Sequence, residues 1–324
     1  MEIFIQILLL LAGLLLILGG ANYLVEGSSS IAKRFGISEF VIGLTIVGIG
    51  TSSPEMVVSF ISSIKGNADM AIGNIVGSNI FNTLMILGVT ALISPLAITR
   101  NNLKRDIPLN IGVTLLLILC GMNLTLFNCG HADELSRIDG IIMLLIFIWY
   151  LWSSFKNDTA AEENTEEEEN IIERKGIVAL MMVVGGLAAL IAGGRLFVDS
   201  ATALAKIFGV SDKFIAITVM AAGTSMPELA TCVVAALKGK GQLALGNILG
   251  SNISNILLIL GGAALINPLS FSGMTTVDLG TVLICSVFIL LSAYMFRKNS
   301  LDRAEGAILI AIMAAYMWYL VSAL

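Results

Sequence analysis

The sequence predicts an all-α integral membrane protein of ten transmembrane helices, arranged as two inverted five-helix repeats. Three observations carry that prediction. Of 324 residues, 57% are hydrophobic and 13% charged, against roughly 25% charged in an ordinary soluble domain. Apolar runs recur along the whole chain, most of them about twenty residues long, enough to cross a hydrocarbon core of about 30 Å. The sequence also repeats itself at a fixed offset, with an odd number of apolar runs between the copies.

The apolar segments fall at 3–25, 38–64, 70–96, 107–127, 138–155, 176–198, 211–237, 242–267, 277–296 and 304–323. They are numbered one to ten below. Segment one lacks a basic leader and a small-residue cleavage site, so it reads as a span and not as a signal peptide. The segments are too long and too uniformly apolar for strands, and a chain in lipid must satisfy its backbone internally. The loops after the odd-numbered segments hold 13 of the 18 basic residues. Positive charge collects on the cytoplasmic side, so both termini are expected outside, in the plasma membrane. Between segments five and six lies "EENTEEEE", in a stretch from Lys156 to Lys175 with eight acidic and three basic residues. Such a run reads as a solvated linker. The expected organisation is therefore 1–155 as the first repeat, 156–175 as an acidic cytoplasmic linker, and 176–324 as the second repeat.

The repeat offset is 173 residues, without a gap. "AKRFGIS" at 32–38 meets "AKIFGVS" at 205–211, and "GTSSPE" at 50–55 meets "GTSMPE" at 223–228. "AIGNIVGSNIFN" at 71–82 meets "ALGNILGSNISN" at 244–255, and "LISPL" at 92–96 meets "LINPL" at 265–269. Five segments separate equivalent positions, so the second copy enters the membrane from the opposite side. Inverted repeats related by an in-plane pseudo-two-fold axis are typical of secondary transporters, where they build two gates around one site.

Glu55 and Glu228 sit deep in segments two and seven with no Lys or Arg at similar depth. An unpaired carboxylate at the bilayer centre costs at least about 2.5–3.5 kcal/mol, and two together repel. A divalent cation is the natural neutraliser. Pro54 and Pro227 cannot donate to the carbonyls of Gly50 and Gly223, which frees main-chain oxygens near Thr51 and Thr224. Thr51 and Glu55 share a helix face, as do Thr224 and Glu228. An all-oxygen set suits hard cations such as Ca²⁺ and not zinc or copper. The stripes Asn74, Ser78, Asn82 and Asn247, Ser251, Asn255 add amides and hydroxyls that would hold a small monovalent cation such as Na⁺ or simply join helices. Glu26 and Asp199, also matched by the offset, read as charges ending a span. Cys120, Cys129, Cys232, Cys285 and His131 show no metal-type spacing.

The paired "GTSxPE" and "GNxxGSNxxN" segments resemble the α-repeats of the sodium/calcium exchanger family, within the cation/calcium antiporters, and the layout is most similar to its short prokaryotic members. The resemblance implies Glu55 and Glu228 as central Ca²⁺ ligands, with the main-chain oxygens of Thr51 and Thr224. It implies sodium sites from Ser52, Ser78, Glu55, Ser225, Ser251 and Glu228, plus the carbonyls of Gly48 and Ala221, with Asn82 and Asn255 at the centre. It also implies electrogenic exchange by alternating access, with segments one and six sliding against the other eight. Some relatives carry Asp at the position of Asn255, and the amide here disfavours K⁺ coupling.

The expectation is a Na⁺/Ca²⁺ antiporter that exports Ca²⁺, acting as a monomer in the lipid bilayer with Ca²⁺ and Na⁺ as its only partners. H⁺/Ca²⁺ or K⁺-dependent exchange is the runner-up. A cation channel would be built about an axis along the pore, which an in-plane repeat does not supply. No nucleophile–base set appears, so no enzyme, no cofactor and no nucleic-acid partner are expected.

Overall fold

The computed structural model describes residues 2–127, 132–156, 158, 174–209, 221–272, 274–295 and 299–322. The chain is mostly helical, and each of the ten segments overlaps helix. Six helices are long and apolar enough to cross a membrane: Ile3–Phe35, Ala68–Ile93, Arg137–Lys156, Gly176–Ile207, Gly241–Ile266 and Arg303–Ser322. A seventh candidate is the bent pair Glu39–Thr51 and Ser53–Ile64, with an angle of 48° between its halves. Ile107–Gly121, Met226–Leu237 and Thr276–Met295 are the remaining helices of ten residues or more. Cys129, His131, most of the acidic linker and the first part of segment seven lie outside the described residues.

Segments one and six run further than the sequence suggests, as Glu2–Phe35 and Gly176–Ile207. At 1.5 Å per residue each is about 50 Å long, more than the bilayer core requires. Glu26 and Asp199 therefore sit inside helices and do not end them. Glu26 instead accepts from Lys238 Nζ at 2.6 Å, while Lys240 Nζ reaches Glu39 at 2.6 Å. The two bridges tie the turn after segment seven to the neighbourhood of segments one and two. Both are partly exposed, so each contributes little to stability.

These two long helices cross each other closely through small residues. A Cβ built on Gly13 would lie 2.9 Å from the Gly193 carbonyl oxygen, and one on Gly20 would lie 2.8 Å from that of Gly186. Partner numbers fall as the first number rises, so the helices run antiparallel. The repeat offset relates Gly13 to Gly186 and Gly20 to Gly193. Glycine here lets two backbones approach where any side chain would hold them apart. The pair has its own apolar cluster, with Ile17, Leu24, Val183 and Leu190 against Ile42 and Val47.

The polar punctuation of the sequence fixes the turns. Both "KG" pairs end helices with a left-handed glycine, Gly66 at φ 74° and Gly239 at φ 73°. In each case the next residue's N–H reaches five residues back: Asn67 to Ser62 O at 2.8 Å and Lys240 to Ala235 O at 2.8 Å. This is the Schellman end that favours glycine. Ser136–Asp139 and Asp302–Glu305 form reciprocal caps that start segments five and ten, as capping boxes do.

Strands were not expected, yet two short antiparallel ladders form. Leu96–Ala97 pairs with Ser300–Leu301, and Glu134–Leu135 pairs with Leu269–Ser270. Each joins the end of a "LISPL" or "LINPL" run to the start of a helix in the other half. They lie at helix ends, where the backbone has left the apolar span and can pair in two-residue pieces.

Segments two and eight make the tightest contact of the core. A Cβ on Gly250 would lie 2.2 Å from the Leu44 carbonyl oxygen, and one on Gly246 would lie 2.2 Å from that of Phe40. Both clashes are with backbone, which cannot turn aside. Gly250→Ala is expected to destabilise the protein by about 1–3 kcal/mol or more through overpacking. Gly19→Ala, where a Cβ meets nothing within 4 Å, should leave the melting temperature of the purified protein unchanged. Equal melting of the two variants would contradict the packing described.

Candidate ion-binding site

The site begins where segment two breaks. Helix Gly48–Thr51 stops, and helix Ser53–Ile64 starts with Pro54 in its first turn. The next main-chain bond runs from Met56 N to the Ser52 carbonyl at 3.0 Å. The Gly50 oxygen that Pro54 leaves is taken by the Ser53 hydroxyl at 2.7 Å, so that oxygen is not free. The Thr51 carbonyl accepts no main-chain N–H among the described residues. Segment seven breaks in the same way between Ala221–Thr224 and Met226–Leu237, with Leu229 N on the Ser225 carbonyl at 3.0 Å.

The breaks present each carboxylate to a hydroxyl of the opposite half, and Glu55 also to Ser78 of its own half. Ser52 Oγ donates to Glu228 Oε1 at 2.9 Å. Ser225 Oγ and Ser78 Oγ each donate to Glu55 Oε1 at 3.1 Å, and the two hydroxyls lie 2.9 Å apart. Glu55 and Glu228 are 0% and 1% exposed. Among the described residues no Lys or Arg is bonded to either, and their second oxygens, Glu55 Oε2 and Glu228 Oε2, have no hydrogen-bond donor.

Asn82 and Asn255 open π-helical turns, Asn82–Ile86 and Asn255–Leu260, a distortion frequent at functional positions. Both are fully buried. Their Nδ2 groups are bonded, yet Asn82 Oδ1 and Asn255 Oδ1 also lack a donor. Helix Met226–Leu237 packs on the Asn82 turn, and helix Ser53–Ile64 packs on the Asn255 turn. The outcome is four buried acceptor oxygens without a proton to accept, on four helices packed together. Leaving one such group unsatisfied costs about 1–3 kcal/mol, and more when it is charged. A hard cation is the ligand that relieves several at once. Among the described residues no group of three or more His, Cys, Asp or Glu could hold a metal, so the donor set rests on two carboxylates and neutral oxygens.

The family model of the sodium/calcium exchanger protein matches residues 5–156 and 178–322. The chain belongs to this family. The sodium/calcium exchanger MaX1 of Methanosarcina acetivorans is 37% identical, over 97% of each chain. The inner membrane protein YrbG of Escherichia coli is 37% identical over 80% of this chain and 79% of its own length. Among solved structures, the sodium-calcium exchanger NCX_Mj soaked with zero Na⁺ and Ca²⁺ aligns with a TM-score of 0.83 at 31% identity, covering 98% of this chain and 99% of that one. Sodium/calcium exchangers are antiporters, not enzymes, and this member carries its helices in the same arrangement.

Within this exchanger fold the sequence-derived residues take different places. Glu55, Glu228, Ser52, Ser78 and Ser225 form the hydrogen-bonded cluster just described. Ser251 Oγ donates to the Gly48 carbonyl at 3.1 Å, so two expected sodium ligands meet each other. Thr51 turns its hydroxyl to the Val47 carbonyl at 3.0 Å and to Asn247 Oδ1 at 3.1 Å. Thr224 is only half-buried, and Ala221 begins the described part of segment seven. Asn74 and Asn247 act as joints between helices. Asn74 donates to the Glu55 carbonyl and to Ser59 Oγ, and Asn247 donates to Cys232 Sγ at 3.1 Å. Sequence reasoning missed Asn79 and Asn252, which accept from the two central amides, and Thr83, which accepts from Asn252. The repeat itself held the clue, since Asn79 and Asn252 are matched at the 173-residue offset.

Proposed function

We propose that this exchanger is a secondary active transporter that moves Na⁺ against Ca²⁺ across the plasma membrane, exporting Ca²⁺ at the expense of the Na⁺ gradient. The observation that carries the reading is the set of four buried oxygens, two of them carboxylate, that have neither a donor nor a basic partner among the described residues. Glu55 and Glu228 hold Ca²⁺ with the carbonyls of Thr51 and Thr224. Ser52, Ser78, Ser225 and Ser251, with the carbonyls of Gly48 and Ala221, supply sodium ligands, and Asn82 and Asn255 stand between them. Two negative charges balance one Ca²⁺ without protein cations, and several Na⁺ in its place make the cycle electrogenic.

The architecture is read as ten spans in two inverted units, 1–155 and 176–324, joined by the cytoplasmic linker 156–175. The antiparallel Gly13–Gly193 and Gly20–Gly186 contacts support the inversion, as do the two cross-half ladders. Both termini then face outside. Alternating access follows from sliding segments one and six across the broken helices. One chain carries all the proposed ligands, so a monomer suffices. In Na⁺-loaded vesicles diluted into Na⁺-free buffer, radiolabelled Ca²⁺ uptake should depend on the outward Na⁺ gradient and be unaffected by K⁺. Uptake driven by a pH gradient alone would transfer the assignment to H⁺/Ca²⁺ exchange.

A further inference from the structure

The two central asparagines have a polarity problem that a carboxylate would not have. An amide presents oxygen from one edge and N–H from the other. With oxygen inward, Asn82 and Asn255 are cation ligands. With nitrogen inward, they would present N–H donors to the site in place of acceptor oxygens, and a cation cannot use them. Something must hold both amides oxygen-inward, and the repeats supply it crosswise. Asn255 Nδ2 donates to Asn79 Oδ1 at 2.9 Å. Asn82 Nδ2 donates to Asn252 Oδ1 at 3.2 Å. Each repeat's central amide is therefore held by the other repeat's outer asparagine.

The outer asparagines are oriented in turn. Asn79 Nδ2 donates to the main-chain carbonyl of Asn252 at 3.1 Å. A carbonyl can only accept, so turning Asn79 over would set oxygen against oxygen there and N–H against N–H at Asn255. The Asn79 orientation is thus anchored to backbone, and that of Asn255 follows. Asn252 Nδ2 donates to Thr83 Oγ1 at 2.9 Å. A hydroxyl can reverse its role, so this half of the arrangement is held less firmly. Asn79 and Asn252 are 4% and 2% exposed, which keeps water from substituting.

We propose that Asn79 and Asn252 are positioning residues that lock Asn255 and Asn82 with their oxygens toward the ions, Asn79 through a backbone anchor and Asn252 through Thr83. The lock sets cation affinity without either residue touching an ion. It rests on the Na⁺/Ca²⁺ reading only for the identity of the cations.

The test is equilibrium binding of radiolabelled Ca²⁺, and separately of Na⁺, to the purified full-length protein. Asn79→Leu removes both hydrogen bonds at nearly constant size and should weaken cation binding about 10-fold, the scale of one misdirected buried polar group. In an Asn255→Asp background the same change should cost less than about twofold, because a carboxylate shows oxygen whichever way it turns; the cycle isolates that coupling. Equal losses in the two backgrounds would mean a packing role and overturn the proposal. Thr83→Val gives a milder second variant and should weaken binding about threefold. It decides the matter if Asn79→Leu does not fold, and unchanged binding in Thr83→Val would then overturn the lock. The exchange reading fails differently: wild-type protein would bind cations yet show no Na⁺-driven Ca²⁺ flux in vesicles.

Discussion

Replacing Glu55 or Glu228 by Gln is expected to abolish Ca²⁺ transport while the protein still folds and inserts. The two halves of that result have separate causes. A single positive charge about 4 Å from a carboxylate gains about 4 kcal/mol at an effective dielectric constant of 20, and a divalent ion gains more. Losing the carboxylate therefore corresponds to at least about a thousand-fold in binding. The glutamine still accepts through its amide oxygen, so Ser225 and Ser78 keep a partner at position 55 and Ser52 keeps one at 228. Removing a buried, incompletely bonded charge does not weaken packing. Vesicle flux and the melting temperature, read on the same preparation, separate the two. Full Na⁺-driven Ca²⁺ flux in either variant would refute the assignment of that carboxylate. Because the hydroxyl contacts cross between halves, the two variants should fail alike.

The scale of that loss depends on exclusion of water, and the fold accounts for it. Segments two and eight touch backbone to backbone at Gly246 and Gly250, which leaves little room between them there. The antiparallel glycine seam between segments one and six is another close contact. It lies in a smaller apolar cluster of its own, distinct from the large core around Ile75, Leu84, Ile248 and Leu257.

Much of this was legible in the sequence, because lipid leaves few ways to satisfy a backbone or a charge. The breaks at Pro54 and Pro227 were legible, since proline removes a donor wherever it stands. The pairing of Glu55 with Glu228 followed from the shared motif. The lengths of segments one and six were not, because polar residues such as Glu26 and Lys33 continue a helix beyond the lipid as readily as they end it. The Gly50 carbonyl was expected to be free, but a serine three residues on is a local donor that competes for it. The π-turns at Asn82 and Asn255 leave no sequence signature of their own. The roles of Asn79 and Asn252 needed the register between halves, which is set by the close approach of glycines and not by periodicity.

Ser225→Ala should separate the two ions, with the half-saturating Na⁺ concentration rising about 10- to 100-fold while that for Ca²⁺ moves by less than about threefold. Ser225 Oγ, Ser78 Oγ and Glu55 Oε1 form a triangle with sides of 2.9, 3.1 and 3.1 Å. Three oxygens so disposed offer a small monovalent cation one face of its coordination shell. A hydrogen bond to a charged group is worth about 1.5–3 kcal/mol, which sets the lower and upper ends of the Na⁺ shift. Ca²⁺ draws most of its binding from the two carboxylates, and the alanine leaves both in place. Ser78 still donates to Glu55, so the carboxylate keeps one of its two donors and its rotamer. The measurement is Ca²⁺ uptake at fixed Ca²⁺ over a range of internal Na⁺, then at fixed Na⁺ over a range of Ca²⁺. Equal shifts for the two ions would show that Ser225 only supports Glu55, and the sodium site would have to be sought on the Ser52 side.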